Sequence, residues 1–135
     1  MNPRSKVPNA TAAAPAEVET TTGFAHTSLD AYRLALQALV HGDRIARGLP
    51  RGYGPLRDQL SRALESAYLQ TCVGAAKRGG ERRVRLGSAR AEAGEAAGAV
   101  VAVAELGLCN RSEAEAVSAL LGRLCATLTG LSNRG

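Results

Sequence analysis

The chain has 135 residues, a length typical of one domain with a modest core. Apolar residues make up 45% of it, aromatic residues only 3%, and Trp is absent; this Ala-rich composition favours helices and argues against a sheet protein. The net charge of +5 is unevenly spread, since residues 44–90 carry eleven Lys and Arg against three acidic residues, and such a basic stretch points to an anionic partner.

The three cysteines, Cys72, Cys109 and Cys125, have neither the even count of a disulfide framework nor the close spacing of a zinc site. We expect them to be small buried hydrophobic side chains in a reducing compartment. No apolar run approaches the ~20 residues that cross a bilayer. The sequence therefore predicts a cytoplasmic protein with no membrane partner.

Residues 1–26 are rich in Pro, Ala, Thr and Ser and have no sustained apolar period, so we predict a disordered tail before a domain over 27–132. The first helix is predicted over 29–47, with Thr27 or Ser28 as its cap. Residues three and four apart along it give the predicted inner face: Leu29, Tyr32, Leu36, Leu39 and Asp43.

The second helix is predicted to begin at Pro55 and to fade near Lys77, before Gly79-Gly80. The third is predicted over 82–106 and ends at Gly107. Both have inner stripes with heptad-like spacing: Leu56, Leu60, Ala63, Ala67, Thr71 and Gly74 in the second, and Leu86, Ala89, Ala93, Ala96, Val100 and Val103 in the third. Three glycines inside the third helix, Gly87, Gly94 and Gly98, are expected where a neighbouring helix packs closely.

The fourth helix has a capping-box signal, Ser112 followed by Glu115. Its apolar face is predicted to comprise Val117, Leu120, Leu121, Leu124, Leu128 and Leu131. Because short connections make neighbouring helices run antiparallel, the four segments predict an all-α, up-down-up-down four-helix bundle.

No catalytic or metal-binding pattern is present in the sequence. His26 and His41 have no nucleophile and carboxylate arranged around them. Glu92 and Glu95 share a helix face, but the Glu-x-x-His motif of di-iron bundles is missing. We therefore expect a protein that is not an enzyme and that holds no metal or cofactor.

A basic cluster surrounds the junction of the second and third helices. It comprises Lys77, Arg78, Arg82, Arg83 and Arg85, with Arg90 two turns further on. Guanidinium groups suit phosphate oxygens, so one interpretation is a docking patch for nucleic-acid backbone. A solvated charged surface is the second, and a scaffold whose Arg cluster pairs with acidic residues of a partner or neighbouring subunit is the third. Stacking aromatics are lacking, so any nucleic-acid binding should be sequence-tolerant and salt-dependent.

Several short stretches resemble one family, the four-helix-bundle proteins first noticed as open reading frames in 23S ribosomal RNA intervening sequences, whose relatives include accessory variability proteins of diversity-generating retroelements. They follow the family's order along the chain: Leu29-Asp30-Ala31-Tyr32, Leu49-Pro50, the Leu-x-x-Gln-Leu-x-Arg-Ala pattern at 56–63, then Ser66, Leu69, Gln70, Gly74, Arg85, Arg90, Glu95 and Leu106-Gly107. The chain departs from the family at Tyr68, Val73 and Leu86, as a divergent member would.

The resemblance carries expectations that composition and spacing do not. It implies a homo-oligomer, typically a homopentamer. In the retroelement branch it also implies binding to RNA or DNA and a reverse-transcriptase partner. Together with the basic cluster it leads to the hypothesis of a non-enzymatic accessory protein.

Overall fold

Four α-helices account for nearly all of the residues that the structure, a computed structural model, describes, which are residues 23–134. They are α1 (Gly23–Arg47), α2 (Gly54–Ala75), α3 (Gly79–Glu105) and α4 (Arg111–Asn133). Most of the predicted tail lies outside the described residues, and its last four residues form the first turn of α1.

Cross-helix hydrogen bonds give the direction of α3 relative to α2. Gln59 Nε2 of α2 donates to Glu95 Oε1 of α3 at 2.9 Å. Further along α2, Gln70 accepts from Arg85, which comes earlier in α3, so the two helices run antiparallel. Each helix packs against two others, α1 against α2 and α4, and α3 against α2 and α4. The predicted all-α, antiparallel four-helix bundle is confirmed.

The core is built largely from Ala and Leu. The predicted inner stripes of α2, α3 and α4 are confirmed, because every member is buried except two leucines that are half-buried, Leu56 and Leu120. Ala has a small side chain, so helices whose inner faces are Ala-rich can approach each other closely.

The predicted inner face of α1 is wrong. The residues that α1 buries are Ala31, Leu34, Ala35, Ala38, Gly42, Ile45 and Ala46, whereas the predicted set is only half-buried. Apolar residues surround most of this helix, and the smaller ones face inward. The larger Leu39 instead packs at the edge of the core. The close contact between α1 and α2 requires this choice, because a Cβ added at Gly42 would collide with Leu64.

The glycines that permit close helix packing are also not the predicted ones. A Cβ at Gly74 of α2 would lie 2.6 Å from Leu86 Cδ2 of α3, so any larger residue there would force the buried Leu86 side chain to shift. Gly87, Gly94 and Gly98 of α3 are exposed, and a Cβ at any of them would meet nothing within 4 Å. The prediction that these three glycines pack closely against a neighbouring helix of the same chain is therefore wrong, since they lie on the outside of the bundle.

The cap of α4 is Asn110 and not Ser112, which corrects the predicted capping box. The Asn110 side chain accepts a hydrogen bond from the backbone N–H of Glu113 at 3.2 Å. Gly107, with φ of +74°, ends α3 in the left-handed conformation and leaves only a short connection before Asn110. By length and composition alone, α4 is the one helix in the range 23–134 that could span a membrane, although here it is a bundle helix with one face in the core.

Candidate nucleic-acid interface

A three-residue connection brings the basic cluster to one end of the bundle. Helix α2 ends at Ala75, and the backbone N–H of Lys77 still donates to the Gly74 carbonyl at 3.1 Å. Arg78 is extended, and Gly79 then takes a φ of +61°, which a residue with a side chain rarely adopts. The chain thereby reverses direction, and α3 begins beside the end of α2.

Arg82 differs from the rest of the cluster because its side chain is buried, with only 2% of the residue exposed. Its Nη1 donates to the carbonyl oxygens of Gly74, Ala75 and Lys77, each at 3.3 Å. Gly74 and Ala75 are the last two residues of α2 and Lys77 lies in the connection, so Arg82 binds carbonyls at and just beyond the end of this helix, where few backbone donors remain. Arg82 is therefore a cap of α2, and its predicted contact with phosphate does not fit this position.

The chemistry of the Arg82 position is that of a cation at a helix C-terminus. Burial lowers the pKa of Arg82 from its ordinary value by desolvating the charged form. The negative end of the α2 dipole and the three carbonyl oxygens favour the same charged form. Arg82 thus joins α2 to α3 and holds the α2–α3 turn, on which the neighbouring cations lie, in place.

The other five cations form the surface that we call the α2–α3 corner: Lys77, Arg78, Arg83, Arg85 and Arg90. Lys77 lies 3.6 Å from Glu81, in a half-exposed ion pair. Arg85 donates to Gln70 Oε1 at a long 3.4 Å. The remaining three arginines of the corner are exposed and have no side-chain hydrogen bond or ion pair within the described part of the chain.

Charge at this corner is poorly compensated. Glu81, in the first turn of α3, is the one acidic residue between residues 66 and 91. Exposed ion pairs such as Lys77–Glu81 contribute little to stability, so the corner retains most of its positive charge. Such a field attracts polyanions, and it weakens as salt is added.

Metal-ligating and thiol groups are sparse in the range 23–134. No group of three or more His, Cys, Asp or Glu residues there could hold a metal ion. Cys72, Cys109 and Cys125 are free and half-buried, less buried than predicted. Burial raises the pKa of the Cys125 thiol, with a smaller opposing effect from Arg90, so this thiol stays protonated near neutral pH.

Sequence reasoning missed the capping role of Arg82, but a signal for it exists. Arg82 lies four residues before Leu86 and seven before Ala89, which places it on the same heptad-spaced inner face of α3. Arg83 and Arg90, by contrast, fall outside that face, as phosphate-binding residues should. The helical period can thus separate the buried cation from the exposed ones.

Comparison with known proteins adds nothing to this geometry, since no family model matches the chain and no curated protein is significantly similar to it.

Proposed function

We propose that this protein is a non-enzymatic, self-associating accessory protein that binds nucleic-acid backbone through the α2–α3 corner. The observation that carries the proposal is the group of three exposed arginines, Arg78, Arg83 and Arg90, with no anionic partner in the described chain. A guanidinium group presents forked donors that match phosphate oxygens.

The spacing of the arginines suits a repeating anion. Arg83 and Arg90 are seven residues apart on one side of α3, and therefore about 10 Å apart along the helix axis. That distance is roughly the axial rise of three nucleotides in one strand of a duplex. Arg78 extends the same surface towards the end of the bundle.

Bases are not expected to contribute to binding. Tyr32 and Tyr68 pack against each other, with ring centroids 6.0 Å apart, and Tyr53 lies in the connection at the opposite end of the bundle. Among the side chains that the structure describes, no aromatic ring is therefore available at the corner to stack on a base. Contacts to phosphate alone carry no sequence information, so the proposed binding is general.

The resemblance to the 23S ribosomal RNA intervening-sequence proteins supports the same proposal. It adds a ring of identical subunits, typically five, and, by analogy with the retroelement branch, a reverse transcriptase as partner. Both additions depend on the resemblance and not on the geometry of the corner.

A salt titration of RNA binding tests the corner. For three to four phosphate contacts on a single strand, log K should fall with log salt concentration with a slope of roughly −2 to −3. The double variant Arg78→Glu/Arg83→Glu should abolish binding to all RNA sequences alike. The matched control Arg51→Glu/Arg62→Glu makes the same charge change away from the corner and should bind within a few-fold of the original chain. Flat salt dependence, or equal losses in the two variants, would contradict the proposal.

Self-association has a separate observation in its favour, an exposed stripe on α3 that we call the outer seam: Val84, Gly87, Ala91, Gly94, Gly98 and Val101. Its members alternate at spacings of three and four, which is the heptad pattern of paired helices. Val84 and Val101, at its two ends, are 66% and 54% exposed, so the seam presents apolar side chains to water at both ends. Arg90 and Glu95 flank the seam at the heptad positions through which paired helices form salt bridges.

The variant Gly94→Gln tests whether the outer seam joins two copies. A Cβ at this position meets nothing within 4 Å in its own chain, and the substitution replaces a residue that weakens the helix, so the free energy of unfolding should rise by about 0.5–1 kcal/mol. Light scattering should nevertheless show a smaller assembly. Gly122→Gln, on the outer face of α4, is the matched control and should leave the assembly unchanged. A Gly94→Gln protein of unchanged size would rule out the seam as the contact.

A further inference from the structure

A groove between α1 and α4 carries cations that the proposed function does not use. Its volume is about 410 Å³, within the range of sites that bind small molecules. One wall is made by Gln37, His41 and Arg44 of α1. The opposite wall is α4, and the groove lies away from the α2–α3 corner.

The floor of the groove is apolar. Val117 is buried and Leu120 is half-buried, and the small residues Ala116 and Ala119 leave space above them. The groove runs about 15 Å along α4, from Glu113 to Arg123. A short aliphatic chain or one aromatic ring would fit this space and would cover apolar surface that now faces water.

Two unpaired arginines face the groove from opposite walls. In the described part of the chain the side chains of Arg44, Arg123 and His41 make no hydrogen bond or ion pair. Other arginines in the same half of the bundle are paired, such as Arg47 with Asp43 at 2.8 Å and Arg111 with Glu105 at 3.2 Å. Glu113, at one end of the groove, is the single carboxylate against these two guanidinium groups.

From this combination we infer that the α1–α4 groove binds a small amphipathic organic anion, with a carboxylate or phosphate head and an apolar body. Arg123 and Arg44 hold the head through charge-assisted hydrogen bonds, and His41 supplies a further donor. The apolar body lies on Val117 and Leu120. Nucleic acid does not match this groove as well, because a bare phosphate backbone would leave the apolar floor uncovered.

Decanoate is a suitable probe, and titration calorimetry with amide chemical-shift mapping on the full chain is the test. We expect saturable binding of one decanoate per chain, with shifts concentrated at residues 37–44 and 113–123. Decanol has the chain without the charge, and acetate has the charge without the chain, so each should bind at least tenfold more weakly. Octyl phosphate should bind like decanoate if the head is recognised by charge.

Three variants distinguish a built site from general adsorption. Arg44→Gln and Arg123→Gln should each weaken decanoate binding about three- to tenfold, and Ala119→Leu, which fills the groove without changing charge, should weaken it more than tenfold. Arg62→Gln, on α2, makes the same charge change and should have no effect. Non-saturable binding, equal affinity for decanol, shifts on the outer seam, or full binding by Ala119→Leu would each overturn the inference. The comparison with Ala119→Leu requires that the spectrum of this variant be that of a folded protein. If the variant does not fold, Arg44→Gln and Arg123→Gln provide the test.

Discussion

The two long faces of α3 have nearly the same residues and opposite environments. The inner face carries Leu, Ala and Val at heptad spacing, and it is buried in the bundle core, where α3 packs against α2 and α4. The outer seam carries Val, Ala and Gly at the same spacing, and it is exposed. Apolar period alone therefore does not identify the core side of this helix. Side-chain volume does identify the core side, because the leucine and most of the alanines of α3 face inward, whereas the glycines face outward.

Arginines divide between these two environments in the same way. Arg82 lies on the inner face, and its guanidinium group caps α2. Arg83, next to it in sequence, is exposed at the α2–α3 corner. Two adjacent positions of α3 thus carry one cation with a structural role and one that is available to a ligand. The contrast between inner and outer positions leads to three predictions.

The largest effect is expected for Arg82→Met. It leaves the carbonyls of Gly74, Ala75 and Lys77 without this donor, in a place from which water is largely excluded, and should lower the free energy of unfolding by about 2–4 kcal/mol. Arg83→Met removes an exposed charge and should change it by no more than about 0.5 kcal/mol. Urea unfolding of both proteins measures the difference, with Arg82→Lys expected to recover part of the loss. Equal effects at 82 and 83 would remove the capping role.

The second largest effect is expected when a larger side chain is placed on one or the other face of α3. Ala93 is fully buried on the inner face, so Ala93→Leu should overpack the core and lower the free energy of unfolding by about 1–3 kcal/mol. Ala91→Leu makes the same change on the outer seam and should leave a dilute sample within about 0.5 kcal/mol of the original. Thermal and urea unfolding at low protein concentration give both values. A larger loss at 91 than at 93 would mean that the helix is rotated from the orientation described here.

The smallest effect concerns pH and the contact between α4 and α3. Cys125 Sγ lies 3.8 Å from the Arg90 carbonyl oxygen, and burial raises the pKa of this thiol above its ordinary value of 9.0. The thiol of the unfolded chain ionises first as the pH rises, so the unfolded state is favoured and stability should fall above about pH 9. Cys125→Ala should flatten that fall, as measured by urea unfolding between pH 7 and pH 10. An unchanged slope would show that the thiol is solvated in the folded chain.

Much of this fold could be predicted from the sequence, because α2, α3 and α4 each have one stripe of larger apolar residues. The orientation of α1 could not. Ala31, Leu34 and Ala35 alternate with Tyr32 and Leu36, so two faces satisfy the helical period equally well. The contact that decides between them, Gly42 against Leu64, joins residues on different helices.

The candidate sites also differ in how far they could be predicted from the sequence. The α2–α3 corner is largely contiguous in sequence, so its cations could be listed in advance, although the burial of Arg82 depends on where α2 ends. The α1–α4 groove could not be predicted, because Arg44 and Arg123 lie far apart in sequence and come to line one groove only when the first and last helices pack. The Asn110 cap was missed because two overlapping cap signals, Asn110 with Glu113 and Ser112 with Glu115, compete in the same stretch.

Thiol accessibility at neighbouring positions of α3 measures whether one face of this helix is buried in its own chain while the other is left open to a partner. Ala91→Cys and Ala93→Cys would each be alkylated in the folded protein, with every thiol followed separately by mass spectrometry. We predict that position 91 reacts nearly as fast as an unfolded thiol at high dilution and more slowly as protein concentration rises, while position 93 reacts at least a thousandfold more slowly at every concentration, roughly as global opening would require. A protected position 91 beside a reactive position 93 would contradict the account.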